Sequence, residues 1–270
     1  DLWDRLRSGW RHIAGGALVG VVGAGLAITV LPPRYEATAV VQVGRVGQAT
    51  VPTSSIPVEL VTQAIERMKT QSFQMKVAKS LEDQKWIDDL NDSVSATNKY
   101  IKLDIIKSTA GSAFPLIELK AYGKSAEYAR KIATVTISEL SMEQLKLGKP
   151  AIDKLQYDLN VSKEKLISTE KQIENLYKSM ANIEVKDVRF TQLSLITELR
   201  VKKEYEYYNL KQVISSIEFA LAVPFTQPAG ALEDIFVPDR PVSPKKALLL
   251  ALGLTCGFLA GVMSVFVADA

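Results

Sequence analysis

The most constraining feature of the chain is an uncharged run near its C-terminus, ALLLALGLTCGFLAGVMSVFVA, residues 247–268. A hydrocarbon core roughly 30 Å thick needs about 20 helical residues rising about 1.5 Å each, so this run is long enough to span one. Just upstream, PDRPVSPKK places Pro238, Pro241 and Pro244 at every third position and follows them with Lys245 and Lys246. Proline fixes φ and removes a backbone donor, so neither a helix nor a central strand passes through such a segment. The spacing predicts an extended polyproline-II-like rod that holds the preceding domain at a set height over the membrane. The lysines fall at the N-terminal end of the following helix, where the macrodipole disfavours cations. Membrane lipid phosphate is the nearest compensating anion.

A second uncharged run, residues 13–31, is closed by Pro32 and Pro33. Arg5, Arg7 and Arg11 before it and Ala37-Thr38-Ala39 after it have the look of a secretory leader. The run is longer than a leader's apolar region of roughly 7 to 15 residues and lies well before that cleavage-like triplet, so a retained helix is the better reading. Two spans place both termini on one side of the membrane and one domain on the other. The three N-terminal arginines favour a cytoplasmic N-terminus, whereas Arg240, Lys245 and Lys246 flank the second span on the opposite side, so charge alone leaves the orientation open. Gly16, Gly20 and Ala24 recur every fourth residue in the first run, as Gly253, Gly257 and Gly261 do in the second. Each set forms a smooth strip on one helix face, the means by which helices associate closely in lipid.

Little points to catalysis. The net charge is +3 and no dense basic block with interleaved aromatics occurs, so nucleic acid is not an expected partner. One cysteine, Cys256, lies in the second apolar run, which leaves no disulfide and no zinc set; no metal or other cofactor is expected. The one histidine, His12, stands beside Arg11 at the mouth of the first run and reads as interfacial. Asp88, Asp89 and Asp92 match no calcium loop and read as a solvated turn, and Gly20, Gly23 and Gly25 have the wrong spacing for a dinucleotide loop.

Between the apolar runs, residues 35–43 alternate as a half-buried strand, a Pro/Ser loop through Thr53, Ser54, Ser55 and Pro57 follows, and residues 60–81 read as one helix. Strand signals recur around Leu103 and over residues 116–122, parted by a breaker run at 111–115. Ser125 is a candidate N-cap for a helix reaching about Leu147. After Gly148 and Pro150 the character changes. Ile152, Leu155, Leu159, Leu166, Ile173, Leu176, Met180 and Ile183 keep an a/d register in which Ser162 and Thr169 are the polar entries. A second helical run over 188–221, with Leu199, Leu210, Val213 and Ile217 on one side, folds back after a break near 181–187, giving a hairpin about 45 Å long. Residues 232–237 then read as a returning strand.

These segments, above all PDRPVSPKKALLLALG with LWDRLRSGWRHI before the first run and PPRYEATAVVQV after it, resemble the Wzz-type polysaccharide co-polymerases, the chain-length determinants of bacterial O-antigen. The resemblance implies an α+β periplasmic domain with a long helical hairpin or coiled-coil protrusion, flanked by two transmembrane α-helices in the inner membrane. Its divisions here are a cytoplasmic tail 1–12, a first span 13–31, a base 32–147, a protrusion 148–222, a returning strand and proline-rich segment 223–246, a second span 247–268 and a cytoplasmic end 269–270. It also implies a ring-like homo-oligomer that works with a Wzy-type polymerase on lipid-linked glycan and sets the modal length of the lipopolysaccharide O-antigen without catalysis of its own. A capsule or exopolysaccharide co-polymerase or export adaptor paired with a tyrosine kinase, and a two-span sensor without its transmitter, stay open as alternatives.

Overall fold

A computed structural model describes residues 10–92, 97–106, 115–181 and 189–268. The chain enters through helix α1 (Trp10–Val30) and runs straight into strand β1 (Tyr35–Gln42). A hairpin of β2 (Arg45–Gln48) and β3 (Val51–Pro57) follows, then α2 (Val61–Lys69), α3 (Gln71–Ser80), α4 (Gln84–Asp92), a single turn α5 (Thr97–Tyr100), β4 (Ile101–Ile106) and β5 (Leu116–Gly123). Two long helices, α6 (Ala126–Ala181) and α7 (Arg189–Leu221), lead to the two-residue strand β6 (Gly230–Ala231) and the final helix α8 (Lys246–Ala268).

The base is an antiparallel sheet in the order β4-β5-β1-β6. Alternation along β1 buries Ala37, Ala39 and Val41, and along β5 it buries Ile117, Leu119 and Ala121. The register Ala37↔Ala121, Ala39↔Leu119 and Val41↔Ile117 sets these residues side by side on one face. The root of α6 covers that face with Ala129, Ile132, Ala133 and Leu140. Small residues on both surfaces allow close approach: a Cβ on Gly123 would stand 2.6 Å from the Ala129 nitrogen. The short helices close the core with Ile65, Met68, Phe73, Val77, Trp86 and Leu90.

Several expectations need correction. The segment through Thr53, Ser54, Ser55 and Pro57 is strand β3, because it pairs with β2. Residues 60–81 form two helices, since Thr70 is extended (φ −64°, ψ 145°) and its hydroxyl accepts the Phe73 N–H at 3.3 Å, capping the second. Asp88, Asp89 and Asp92 lie on helix α4, which forms because Trp86 and Leu90 at i,i+4 give it a buried face. The helix expected to stop at Leu147 continues unbroken to Ala181, 56 residues in all. Pro150 is exposed and removes only its own donor from the ladder, while Gly148 lets the β2–β3 hairpin press close, a Cβ there meeting Val58 Cγ2 at 3.2 Å.

Along the protrusion the a/d residues from Ile152 to Met180 are half-buried and Thr169 is fully enclosed, with α7 packed alongside. On α7 the buried stripe is Ile214, Ile217 and Ala220; of the expected face Ile217 is buried and Leu210 half-buried, whereas Leu199 and Val213 are exposed. The helix is thus rotated from the expected face, and Gly47 draws it in: a Cβ there would lie 2.2 Å from the Ala220 carbonyl oxygen. The expected break near 181–187, apart from Ala181, and the breaker run at 111–115, apart from Pro115, lie outside the described residues. In the region of the expected returning strand, pairing is confined to Gly230–Ala231 and one isolated bridge, Thr38↔Phe236.

Candidate functional site

Both chain entries to the base meet at one floor. Among the described residues, Lys246–Ser264 is the one stretch of helix long and apolar enough to cross a membrane. The apolar part of α1, Ala14–Val30, is 17 residues, or about 25 Å of rise, which falls short of the span expected for residues 13–31. Helices α1 and α8 run antiparallel in close contact. The expected small residues meet across the pair. A Cβ on Gly16 would stand 2.6 Å from the Gly257 oxygen and 2.8 Å from Gly261 Cα, one on Gly20 2.1 Å from the Gly253 oxygen, and one on Gly253 2.6 Å from Ala24 Cβ. Gly15, Gly23 and Gly25 face open space. Small residues therefore sit where the backbones of the two helices touch.

The proline-rich segment is bent, with turns of the chain at 239–240, 242 and 244, and does not form the straight rod expected of it. Its course is fixed by backbone pairing: Arg34 N–H donates to the Ser243 carbonyl at 2.9 Å, and Val242 N–H donates to the Arg34 carbonyl at 2.8 Å. Pro238, Pro241 and Pro244 are half-buried, while Lys245 and Lys246 are exposed. The Lys245 carbonyl accepts the Leu248 and Leu249 N–H groups, each at 3.0 Å, so the lysine pair opens helix α8. Residues leaving α1 and residues entering α8 are thereby joined directly beneath the sheet.

Beside this junction lies a cavity of about 340 Å³ that no sequence pattern announced. Its rim begins at Pro32, Pro33 and Arg34; Lys85 and Lys99 come from the α4–α5 region, and Lys124 from the turn before α6. Arg34 donates from Nη2 to the Lys99 carbonyl at 2.6 Å and stacks its guanidinium 5.4 Å over the Tyr122 ring. Tyr100 stacks on buried Trp86 with centroids 4.6 Å apart. Lys99 and the Tyr100 hydroxyl both donate to Asp89 Oδ2, at 2.6 and 2.5 Å, and these two hydrogen bonds hold the carboxyl below its usual range. The Tyr128 hydroxyl donates to Asp83. Burial and then those carboxylates push the phenols of Tyr100 and Tyr128 up, so both stay protonated donors. Sequence reasoning missed the cavity because its residues come from four separate segments. Each looks like an ordinary surface lysine or tyrosine by itself.

The fold therefore defines a class: an α+β base on an apolar helix pair, carrying a long helical hairpin. No protein-family model and no curated protein sequence matches the chain. Among solved structures it is similar to a full-length bacterial polysaccharide co-polymerase, with 17% identity and a TM-score of 0.42 over 100% of this chain and 96% of that one. It is also similar to a fragment of WzzB, a polysaccharide co-polymerase from Salmonella Typhimurium (16% identity, TM-score 0.29, 78% of this chain and 100% of that one). A third is a Wzz dodecamer (15% identity, TM-score 0.25, 78% and 99%).

Proposed function

We propose that the protein regulates the chain length of a bacterial surface polysaccharide, the lipopolysaccharide O-antigen, and does so without catalysis. The observation that carries this is the single uninterrupted helix α6, rooted in the core of a base whose floor is tied to a helix of membrane-spanning length. Such a build transmits geometry. The proline-rich stretch through Pro238, Pro241, Pro244, Lys245 and Lys246 supports the same reading through its resemblance to the Wzz-type co-polymerases. In this reading α1 crosses the inner membrane beside α8 through the contacts of Gly16, Gly20 and Ala24 with Gly253, Gly257 and Gly261. The base is periplasmic, both termini are cytoplasmic, and copies of the chain assemble as a ring that works with a Wzy-type polymerase on lipid-linked glycan.

The test is a strain deleted for this chain and complemented with it, its surface polysaccharide separated on a gel. Loss of the preferred lengths with polymer still made is the expected result. Complete absence of polymer, with the polymerase intact, argues for an enzyme and against this function.

A further inference from the structure

We propose that the cavity beside Arg34 is a binding site for a phosphate or pyrophosphate group, held by Arg34, Lys85 and Lys124 at the level of the lipid headgroups. Four cations line it, Arg34, Lys85, Lys99 and Lys124, against one carboxylate, Asp83. Of the carboxylates nearby, Asp83 accepts from Tyr128, Asp89 accepts from Lys99 and Tyr100, and Glu36 is engaged with Tyr122. Lys85 and Lys124 form no salt bridge among the described residues: Lys85 acts on Asp89 only through space, and the Lys124 ammonium lies 5.6 Å from the centroid of the Tyr128 ring. Arg34 commits one nitrogen to the Lys99 carbonyl and keeps the rest of its fork for a ligand. Concentrated cations with few anions in a walled space of this size favour a small anion with several oxygens over a single carboxylate.

Position selects the ligand further. Pro32 and Pro33 on the rim lie immediately past the apolar stretch Ala14–Val30, so the opening stands where that stretch leaves the bilayer. A phosphate attached to a lipid reaches it from below, and a soluble phosphate reaches it from the side. The site draws from the proposed function only the placement of the base on a membrane. It is tested without any polysaccharide.

The full chain in detergent micelles is titrated with inorganic pyrophosphate by calorimetry, and separately examined by native mass spectrometry with phosphatidylglycerol against phosphatidylcholine. The double variant Lys85→Gln/Lys124→Gln should bind at least about tenfold more weakly than wild type, because two charge-assisted contacts are removed. Lys154→Gln/Lys171→Gln, two exposed lysines on α6, should bind as wild type. All three proteins should melt alike, which separates loss of binding from loss of fold. Preference for phosphatidylglycerol with no pyrophosphate binding assigns the site to a lipid headgroup; pyrophosphate binding assigns it to a phosphate free to enter from solution. Binding of neither probe, or equal binding by wild type and the Lys85/Lys124 variant, overturns the proposal.

Discussion

Gly20→Leu is the sharpest perturbation available at the helix pair. A Cβ at Gly20 would stand 2.1 Å from the Gly253 oxygen and 2.9 Å from Gly257 Cα, both backbone atoms that no rotamer change can move. Ordinary contact needs about 3.4 Å or more, so the helices must part by about 1 Å at this level before the rest of the leucine is accommodated. Overpacking of this kind costs about 1–3 kcal/mol, and lipid offers no hydrophobic force to draw the helices back together. Gly23→Leu is the matched control, because a Cβ there meets nothing within 4 Å. Nitroxides on exposed Cys256 and on a Val19→Cys variant report the separation of the two helices by pulsed electron resonance. Gly20→Leu should lengthen and broaden that distance and blur the polysaccharide ladder, whereas Gly23→Leu should change neither. Superimposable distances for wild type and Gly20→Leu, or the same shift in both variants, would refute the reasoning.

Replacing Pro238, Pro241 and Pro244 together with alanine restores three donors and frees φ. Melting of the base should be unchanged while the modal polysaccharide length drifts or broadens on the same gel. Trp86→Ala empties a fully buried site and removes the stack on Tyr100, so thermal unfolding should show a loss of about 3–5 kcal/mol. Gln144→Leu leaves the Gly44 N–H, now bonded to Gln144 Oε1 at 2.7 Å, without that acceptor, at a cost of about 1–3 kcal/mol in denaturant titration. Asp89 is held below its usual range by Lys99 and then Tyr100, so its contribution exists above the unfolded carboxyl pKa and is lost as pH falls through the lower folded value. The stability gap between wild type and Asp89→Asn should therefore close as solutions are acidified below about pH 4.

Elements whose side chains repeat with one period were legible from sequence. Tyr35–Gln42 alternates because one face meets α6, and Leu116–Gly123 alternates for the same reason. The small-residue strips of α1 and α8 were visible because four-residue spacing on an apolar helix admits few other uses. What failed were punctuation marks that tertiary contact overrules. Gly148 and Pro150 read locally as a helix end, yet the β2–β3 hairpin leaning on Gly148 and the partner helix beyond it carry the backbone straight through. Thr70 carried the opposite error: it looked like any helical residue and its hydroxyl ends one helix by starting the next. The face of α7 was misjudged because Val213 and Ile214 are adjacent apolar residues, and only the approach of Gly47 to Ala220 determines which turns inward. The prolines announced a rod, but the hydrogen bonds that bend it come from Arg34, roughly two hundred residues earlier in the chain.

The absence of a joint at Gly148–Pro150 gives the molecule a lever. Helix α6 spans about 84 Å at 1.5 Å per residue, and roughly 50 Å of it lies beyond Gly148, outside the sheet's grip. With no hinge between root and shaft, a tilt of about 5° at the sheet is carried along that length as a swing of about 4 Å at the far end of the helix. Displacements too small to matter where the base meets the membrane become displacements the size of a side chain where the protrusion meets whatever stands beside it.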